Sequence, residues 1–269
     1  MACAMLIDTT RCIGCRGCQV ACKSWKDLPA ERSTFSATGT NPLHLDAENF
    51  TRVLFEEGRT PAGAPRWSFV KRQCMHCNEP ACAGACPVAA LVKLPEGPVV
   101  YRDDRCIGCR YCMVACPFQI PKFQWNATVP YVRKCNFCAE RLALGKKPAC
   151  AATCPSEALL FGDRTDLLRE AHRRIETNPG HYVGSVYGEK TGGGTSMLYL
   201  TAVPFEQLGL DRKGFRTDLG EVPHAQYGQE WMAKVPWLAA TVGAVSLALY
   251  RLNQRRAEVE KQDGKEIAP

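Results

Sequence analysis

The sequence lacks the marks of an exported, a nucleic-acid-binding or a self-sufficient catalytic chain. Its first residues, Met1-Ala2-Cys3-Ala4-Met5-Leu6-Ile7-Asp8, contain no basic segment, no apolar run and no twin arginine. The chain is therefore expected to carry no amino-terminal export address of its own. No nucleic-acid-binding motif is present, so no nucleic-acid partner is expected. No recognisable motif supplies a nucleophile, a general base or a substrate pocket, which points to a chain that does not catalyse by itself. Gly184 to Thr191 (GSVYGEKT) superficially resembles a phosphate loop, but Glu189 separates Gly188 from Lys190 and the first spacing is too short.

Cysteine, by contrast, is abundant: 17 in 269 residues, far above ordinary usage for an intracellular enzyme. Disulfides, zinc and iron–sulfur clusters compete to explain it. A disulfide scaffold is usually a small secreted domain, and this chain is neither small nor led by a signal. The remaining choice is settled by spacing. Cys12, Cys15, Cys18 and Cys22 stand at gaps of two, two and three residues, and Cys106, Cys109, Cys112 and Cys116 repeat them. The two-residue gaps let successive thiolates wrap one corner of an iron–sulfur cubane. The fourth cysteine leaves on the following turn toward a second cluster, as in bacterial ferredoxin runs. Zinc would be satisfied by two CxxC pairs and would not call for a third cysteine two residues on.

A second type of run alternates with the first. Cys74, Cys77, Cys82 and Cys86 have gaps of two, four and three; Cys135, Cys138, Cys150 and Cys154 have gaps of two, eleven and three. Their ends align, ACAGACPVAAL (Ala81–Leu91) with ACAATCPSEAL (Ala149–Leu159), and Arg72 and Arg133 precede each CxxC at one offset. The order is A-B-A-B, a duplicated two-cluster unit. Sixteen cysteines supply four 4Fe–4S clusters; Cys3 is left over, and His76 reads as a packing or hydrogen-bonding residue. Exchange of fourth ligands can pair run one with two and three with four, or two with three and one with four. Spacing does not decide between them. Proline follows Cys86, Cys116 and Cys154 but not Cys22, which marks the first run as the variant copy.

Formal charge is +7. A cubane with a 2+ core on four thiolates carries roughly −2, so four of them contribute about −8 and leave the loaded protein near neutral. Arg11, Arg16, Lys23, Arg105, Arg110, Arg133 and Lys134 read as local counter-charge.

The remaining segments frame this body. Residues 24–73 shift to polar residues, Gly and Pro around an apolar Val53-Leu54-Phe55, and read as an inserted, partner-facing segment. Asp166 to Ile175 has helical spacing, and His181 to Leu200 alternates around Gly192-Gly193-Gly194 as a hairpin would. Val235 to Tyr250 is sixteen residues without a charge, just under the ~17–25 of a spanning helix. Lys234 and Arg251 can snorkel, Trp231, Trp237 and Tyr250 suit the interfaces, and Pro236 is tolerated in a first turn. Arg251, Arg255, Arg256 and Lys261 follow it against Lys234 just before, so the positive-inside rule puts the carboxyl end in the cytoplasm and the cysteine-rich body on the periplasmic face.

The A-B-A-B pattern from Cys12 to Cys154 resembles the four-cluster ferredoxin-like subunit of membrane-bound molybdopterin oxidoreductases and of some nickel–iron hydrogenases. CIGCRGCQVACKSWKDLPAE (Cys12–Glu31), the Asn41-Pro42 loop and GGTSMLYL (Gly193–Leu200) look most like the beta subunit of respiratory formate dehydrogenase. The resemblance implies four ligand sets: Cys12, Cys15, Cys18 and Cys154; Cys22, Cys135, Cys138 and Cys150; Cys74, Cys77, Cys82 and Cys116; and Cys86, Cys106, Cys109 and Cys112. It implies a catalytic partner carrying molybdenum or tungsten on a pterin, a membrane cytochrome b subunit reaching quinone, and export alongside a signal-bearing partner. The fold expected is α+β: duplicated bacterial ferredoxin-like modules with an insertion, plus one carboxyl-terminal transmembrane helix. The divisions are a four-cluster body (1–160), an extension packing on it (161–230), the membrane helix (231–252) and a basic tail (253–269). Rival readings keep the wire but place it in a hydrogenase or sulfur-compound reductase, or make the chain a soluble polyferredoxin.

Overall fold

A computed structural model describes residues 2–30, 33–60, 63–125, 127–210 and 224–263. They fall into two compact units, 1–226 and 227–269.

The first unit is built around β1 (Cys3–Asp8), whose residues are almost wholly buried. In a strand alternate side chains point to opposite faces, and β1 uses both. Met5 and Ile7 join a core that packs against Cys18, Cys77, Cys150 and Cys154, while Ala4 and Leu6 pack with Leu167, Ala171, Leu198 and Leu200. β1 is the centre of a three-stranded sheet with β8 (Leu159–Asp163) antiparallel on one side and β9 (Met197–Leu200) parallel on the other.

Three two-stranded ribbons carry the cysteine runs: β2 (Arg52–Arg59) with β3 (Pro65–Arg72), β4 (Leu91–Lys93) with β5 (Val99–Tyr101), and β6 (Lys122–Phe123) with β7 (Val132–Arg133). The helices of the runs are short: α1 (Gly17–Trp25), α2 (Ala81–Gly84), α3 (Tyr111–Ala115), α4 (Ala139–Leu142) and α5 (Ala149–Ala152). The proline pattern explains their lengths. After Cys86, Cys116 and Cys154 the chain turns, and Ala89, Gln119 and Glu157, each three residues on, adopt positive φ and donate N–H to the cysteine carbonyl. Cys22, lacking the proline, accepts instead from Lys26 N–H, and α1 runs on to Trp25.

The segment expected to lie outside the core divides in two. Residues 33–51 contain no helix or strand among the described positions, but 52–72 return as β2 and β3, with Leu54 and Val70 in the main core. The physical reason is the pairing of two apolar strand faces, which polar composition averaged over the segment conceals.

α6 (Arg164–Thr177) fulfils the helical spacing. Its N-cap Asp163 accepts from Thr165 N–H at 2.9 Å. Arg174 on its last turn reaches the buried Asp8, which also accepts from Tyr182 Oη at 3.0 Å and Thr10 Oγ1 at 2.6 Å. The expected hairpin over His181–Leu200 does not form. Tyr187 and Tyr199 make a single isolated bridge, because Gly188, at φ +93°, turns the chain out of extended form directly after Tyr187, and β9 finds its ladder with β1.

The second unit, from Tyr227, is formed by α7 (His224–Asp263), one continuous helix in which Lys234–Val259 is apolar enough to cross a membrane, with mean hydropathy 1.4. Pro236 therefore lies inside the helix and not in its first turn. Its missing N–H leaves one carbonyl of the preceding turn without an intrahelical partner. The side chains of Trp231 and Lys261, and residues 211–223 and 264–269 of the expected extension and tail, lie outside the described residues.

Candidate iron–sulfur cluster sites

Each A-type run begins with a loop that must bend sharply around its ligands. Gly14 and Gly108, at the same place in the two copies, have φ of +68° and +71°, a region where a Cβ is strained. Arg16 and Arg110 follow at φ 59° and 62° and start α1 and α3. An aromatic ribbon covers each loop. Phe69 of β3 lies against Gly14, where a Cβ would stand 3.0 Å from its ring, and the Arg16 guanidinium sits 4.5 Å from the Phe55 ring centroid. In the second copy Phe123 of β6 faces Gly108, and Arg110 stacks on Phe123 and Trp125 at 5.5 and 5.1 Å.

Beneath these covers two sets of four thiols line cavities, and the other eight cysteines neighbour one another. Cys12, Cys15, Cys18 and Cys154 line one cavity, with Ile7, Ile13, Val53 and Lys71. Cys86, Cys106, Cys109 and Cys112 line a second, with Ile107, Leu91, Tyr101 and Val132. Cys77 has Cys74, Cys116 and Cys82 as its charge neighbours. Cys22 has Cys150 and Cys138, and Cys135 has Cys22. Cys135 also neighbours Cys74, so the second and third groups adjoin. Cys3 lies on β1 beside Gly97, apart from all four.

The helices explain how neighbouring groups interlock. Cys18 and Cys22 are i and i+4 on α1, one turn apart on one face. Cys150 and Cys154 have the same separation along and just beyond α5, which packs on α1. Each of these two segments thus places one cysteine in the first group and one in the second. α2 and α3 pack together in the same way, with Cys82 and Cys86 opposite Cys112 and Cys116.

The donor sets fit a multivalent iron–sulfur group. All seventeen cysteines are free thiols. Burial, followed by the charge of neighbouring thiols, pushes Cys18 up to about 12 and Cys112 up to about 11, and it raises Cys77, Cys82 and Cys135 strongly as well. Four such thiols in one place become thiolates only against compensating positive charge, which iron supplies. Among the described residues no three ligating side chains converge on a point, as a single tetrahedral ion requires; the thiols surround cavities. Backbone amides aim at sulfur: Ala90 N–H at Cys86 Sγ (3.2 Å), Gly108 at Cys106 (3.4 Å) and Phe137 at Cys135 (3.4 Å).

His76 adds an unpartnered buried polar atom beside the cysteines. It is fully buried, its Nδ1 accepts from Val99 N–H at 2.9 Å, and its Nε2 is buried with no partner among the described residues. Burial, then the nearby charges of Lys134, Lys93 and Lys71, holds the ring neutral. Nε2 therefore bears the hydrogen, an orphaned donor between two cysteines of the run, Cys74 and Cys77.

The structure separates the expected counter-charges. Arg11 is exposed and pairs with Glu157 at 3.5 Å, and Arg105 is exposed. Lys134 is buried and donates to the carbonyls of Val99 and Cys135. Sequence reasoning missed Lys71, 3 % exposed, whose Nζ donates to Gln73 Oε1 at 2.9 Å. The available signal was its place three residues before Cys74, where the other copy has Val132 before Cys135.

Residues 11–90 and 65–164 each match a family model described as a 4Fe-4S dicluster domain. A chain of Nitratidesulfovibrio vulgaris is 42% identical over 262 residues, 96% of this chain and 69% of that one. The nitrate-inducible formate dehydrogenase iron-sulfur subunit of Escherichia coli K12 is 38% identical over 200 residues, 73% of this chain and 67% of its own. The hydrogenase-2 operon protein HybA of Escherichia coli O157:H7 is 35% identical over 240 residues, 77% of this chain and 72% of its own.

Proposed function

Because the chain belongs to the family of 4Fe-4S iron–sulfur electron-transfer subunits that includes those of formate dehydrogenase and HybA, we propose that it is the four-cluster wire of a membrane-bound formate dehydrogenase. The observation that carries this reading is a pair of cavities, each lined by four thiols, with the other eight cysteines clustered between them. We assign the ligands as Cys12, Cys15, Cys18 and Cys154; Cys22, Cys135, Cys138 and Cys150; Cys74, Cys77, Cys82 and Cys116; and Cys86, Cys106, Cys109 and Cys112.

A bound 4Fe–4S cluster supplies one-electron uptake and release. The chain's own residues do the rest. α1 and the α5 segment hold the first and second sites one helical turn apart, and α2 and α3 do the same for the third and fourth. Cys135 beside Cys74 joins the two halves. Phe69 and Phe123 cover the glycine loops, and the buried Val53, Leu91, Val132 and Leu159 line the inner walls of the sites.

On this reading residues 1–160 are the cluster body, with 24–73 as its partner-facing insertion, and 161–230 an extension packing on it. Residues 231–252 cross the inner membrane once, with 253–269 as a cytoplasmic basic tail. The body faces the periplasm, exported with a signal-bearing partner. The partners are a molybdenum- or tungsten-pterin catalytic subunit and a membrane cytochrome b subunit. The apolar Lys234–Val259 stretch, followed by Arg251, Arg255 and Arg256, supports the membrane part.

Co-purification after mild detergent extraction, followed by metal analysis, tests this. Molybdenum or tungsten in the complex is the expected result. Nickel would replace formate dehydrogenase by the hydrogenase reading, which the longer match to HybA supports. Recovery of the full chain in the soluble fraction, alone, would contradict both. Protection of the body from protease in spheroplasts would contradict the periplasmic placement.

A further inference from the structure

The first and fourth cavities are two copies of one design. Ile13 corresponds to Ile107, Arg16 to Arg110, Cys154 to Cys86, Ala158 to Ala90 and Leu159 to Leu91, and every one of these lines its cavity. Lys71 and Val132 also correspond, each three residues before the CxxC of the following run, each on a ribbon strand and each buried, at 3 % and 1 % exposure. At this position alone the two linings differ by a unit charge.

Lys71 has no carboxylate partner among the described residues. Its one protein acceptor is the Gln73 amide, which is held in turn: Gln73 Nε2 donates to Tyr199 Oη at 3.2 Å, and Tyr199 Oη donates to the Lys71 carbonyl at 2.8 Å. This closed loop fixes the ammonium but does not neutralise it. A buried ammonium without an anion is costly, and a valine fills the same place in the other copy. The cysteines that interact with its charge belong to two groups, Cys12 and Cys18 of the first and Cys22, Cys135 and Cys150 of the second; its other neighbours are Tyr199 and the neutral His76.

We propose that Lys71 is the internal counter-ion of the first two cluster sites, and that its replacement by Val132 at the fourth makes the wire electrically asymmetric. Resting on the ligand assignment above, this deepens it. A reduced cluster carries one more negative charge than an oxidised one, and a fixed cation beside it favours reduction. The first site is thereby held at a higher potential than its fourth-site copy. The sequence repeat is symmetrical in ligands and unsymmetrical in buried charge.

The test is an EPR-monitored redox titration of the detergent-extracted complex carrying wild-type, K71V or K71M chains, with iron counted on the same samples. The expected result is full iron and at least one of the four one-electron waves displaced to lower potential by a factor of ten or more in the reduction equilibrium, about 59 mV. V132K, where it loads, is expected to move a wave upward. Full iron with all four waves unmoved in K71V and K71M would overturn the proposal. Failure of both to load iron while the chain stays folded would also overturn it, because Lys71 would then serve assembly. A wild-type chain without four clusters would instead overturn the ligand assignment, so the two failures are distinguishable.

Discussion

The imidazole of His76 stacks on the ring of Phe137, with centroids 5.0 Å apart and planes 20° from parallel. Both residues are the third of a CxxC, both have positive φ, and both are buried. The two copies of the B-type run therefore meet ring to ring where the second and third cysteine groups adjoin, and Phe161 closes edge-on behind Phe137.

His76→Phe retains the stack but removes the acceptor that Val99 N–H uses and the orphaned Nε2 donor. A buried backbone N–H left unpaired costs about 1–3 kcal/mol. The variant is expected to melt several degrees lower than wild type by circular dichroism, while His76→Ala, which also opens a cavity, melts lower still. Equal melting of all three would show that neither stack nor hydrogen bond matters.

The crossed ligand sets separate two serine variants that a simple run-by-run assignment would treat differently. Cys154→Ser is expected to damage the site of Cys12, Cys15 and Cys18, and Cys22→Ser the site of Cys135, Cys138 and Cys150. Each is expected to lose at most about a quarter of the iron, since one cluster in four is affected. EPR spectra lacking the same signal in C154S and in C12S, and a different one in C22S, are the expected pattern. A shared signal for C12S and C22S would contradict the crossing.

Gly14 and Gly108 share a positive φ but differ in what stands above them. Alanine at either pays the left-handed backbone penalty of roughly 1–2 kcal/mol. At Gly14 its Cβ would also meet the Phe69 ring at 3.0 Å, whereas at Gly108 the Phe123 ring is 3.8 Å away. G14A is expected to be the more destabilised of the two in thermal melts; the reverse order would show that the ribbon yields freely.

Hydrogen bonds from Arg173, then Arg174, hold the Glu170 carboxyl down at about 2 against its ordinary 4.5, outweighing its partial burial. A depressed carboxyl stabilises the fold above its unfolded pKa and loses that contribution as pH falls from about 4.5 toward 2. These are surface pairs on α6, at 2.8 and 2.7 Å, so the effect is small, on the order of 0.5–1 kcal/mol. E170Q is expected to melt about 1–3 °C below wild type at pH 7, with the gap narrowing once pH drops below about 4.5. A gap independent of pH would remove the ion pairs from the explanation.

Much of this was legible in the residues. The cysteine gaps located the loops that carry the runs, the missing proline after Cys22 accounted for the longer α1, and the spacing of Leu167 and Ala171 announced α6. The pairing of groups was not legible, because fourth ligands can cross in two ways at the same spacing. Nor was Lys71, since lysine on a strand normally reads as a solvated face and only the ribbon fold turns it inward. The parallel pairing of β9 with β1 joins residues 192 positions apart, as in Ile7 with Tyr199, a contact no local pattern encodes.

The central claim is that this chain holds four cubanes and conducts through them. Iron and acid-labile sulfide, measured per chain on the anaerobically purified complex after subtracting the partners' contribution, test it most directly. The account predicts about sixteen of each. About eight of each, or zinc in place of iron, would contradict it.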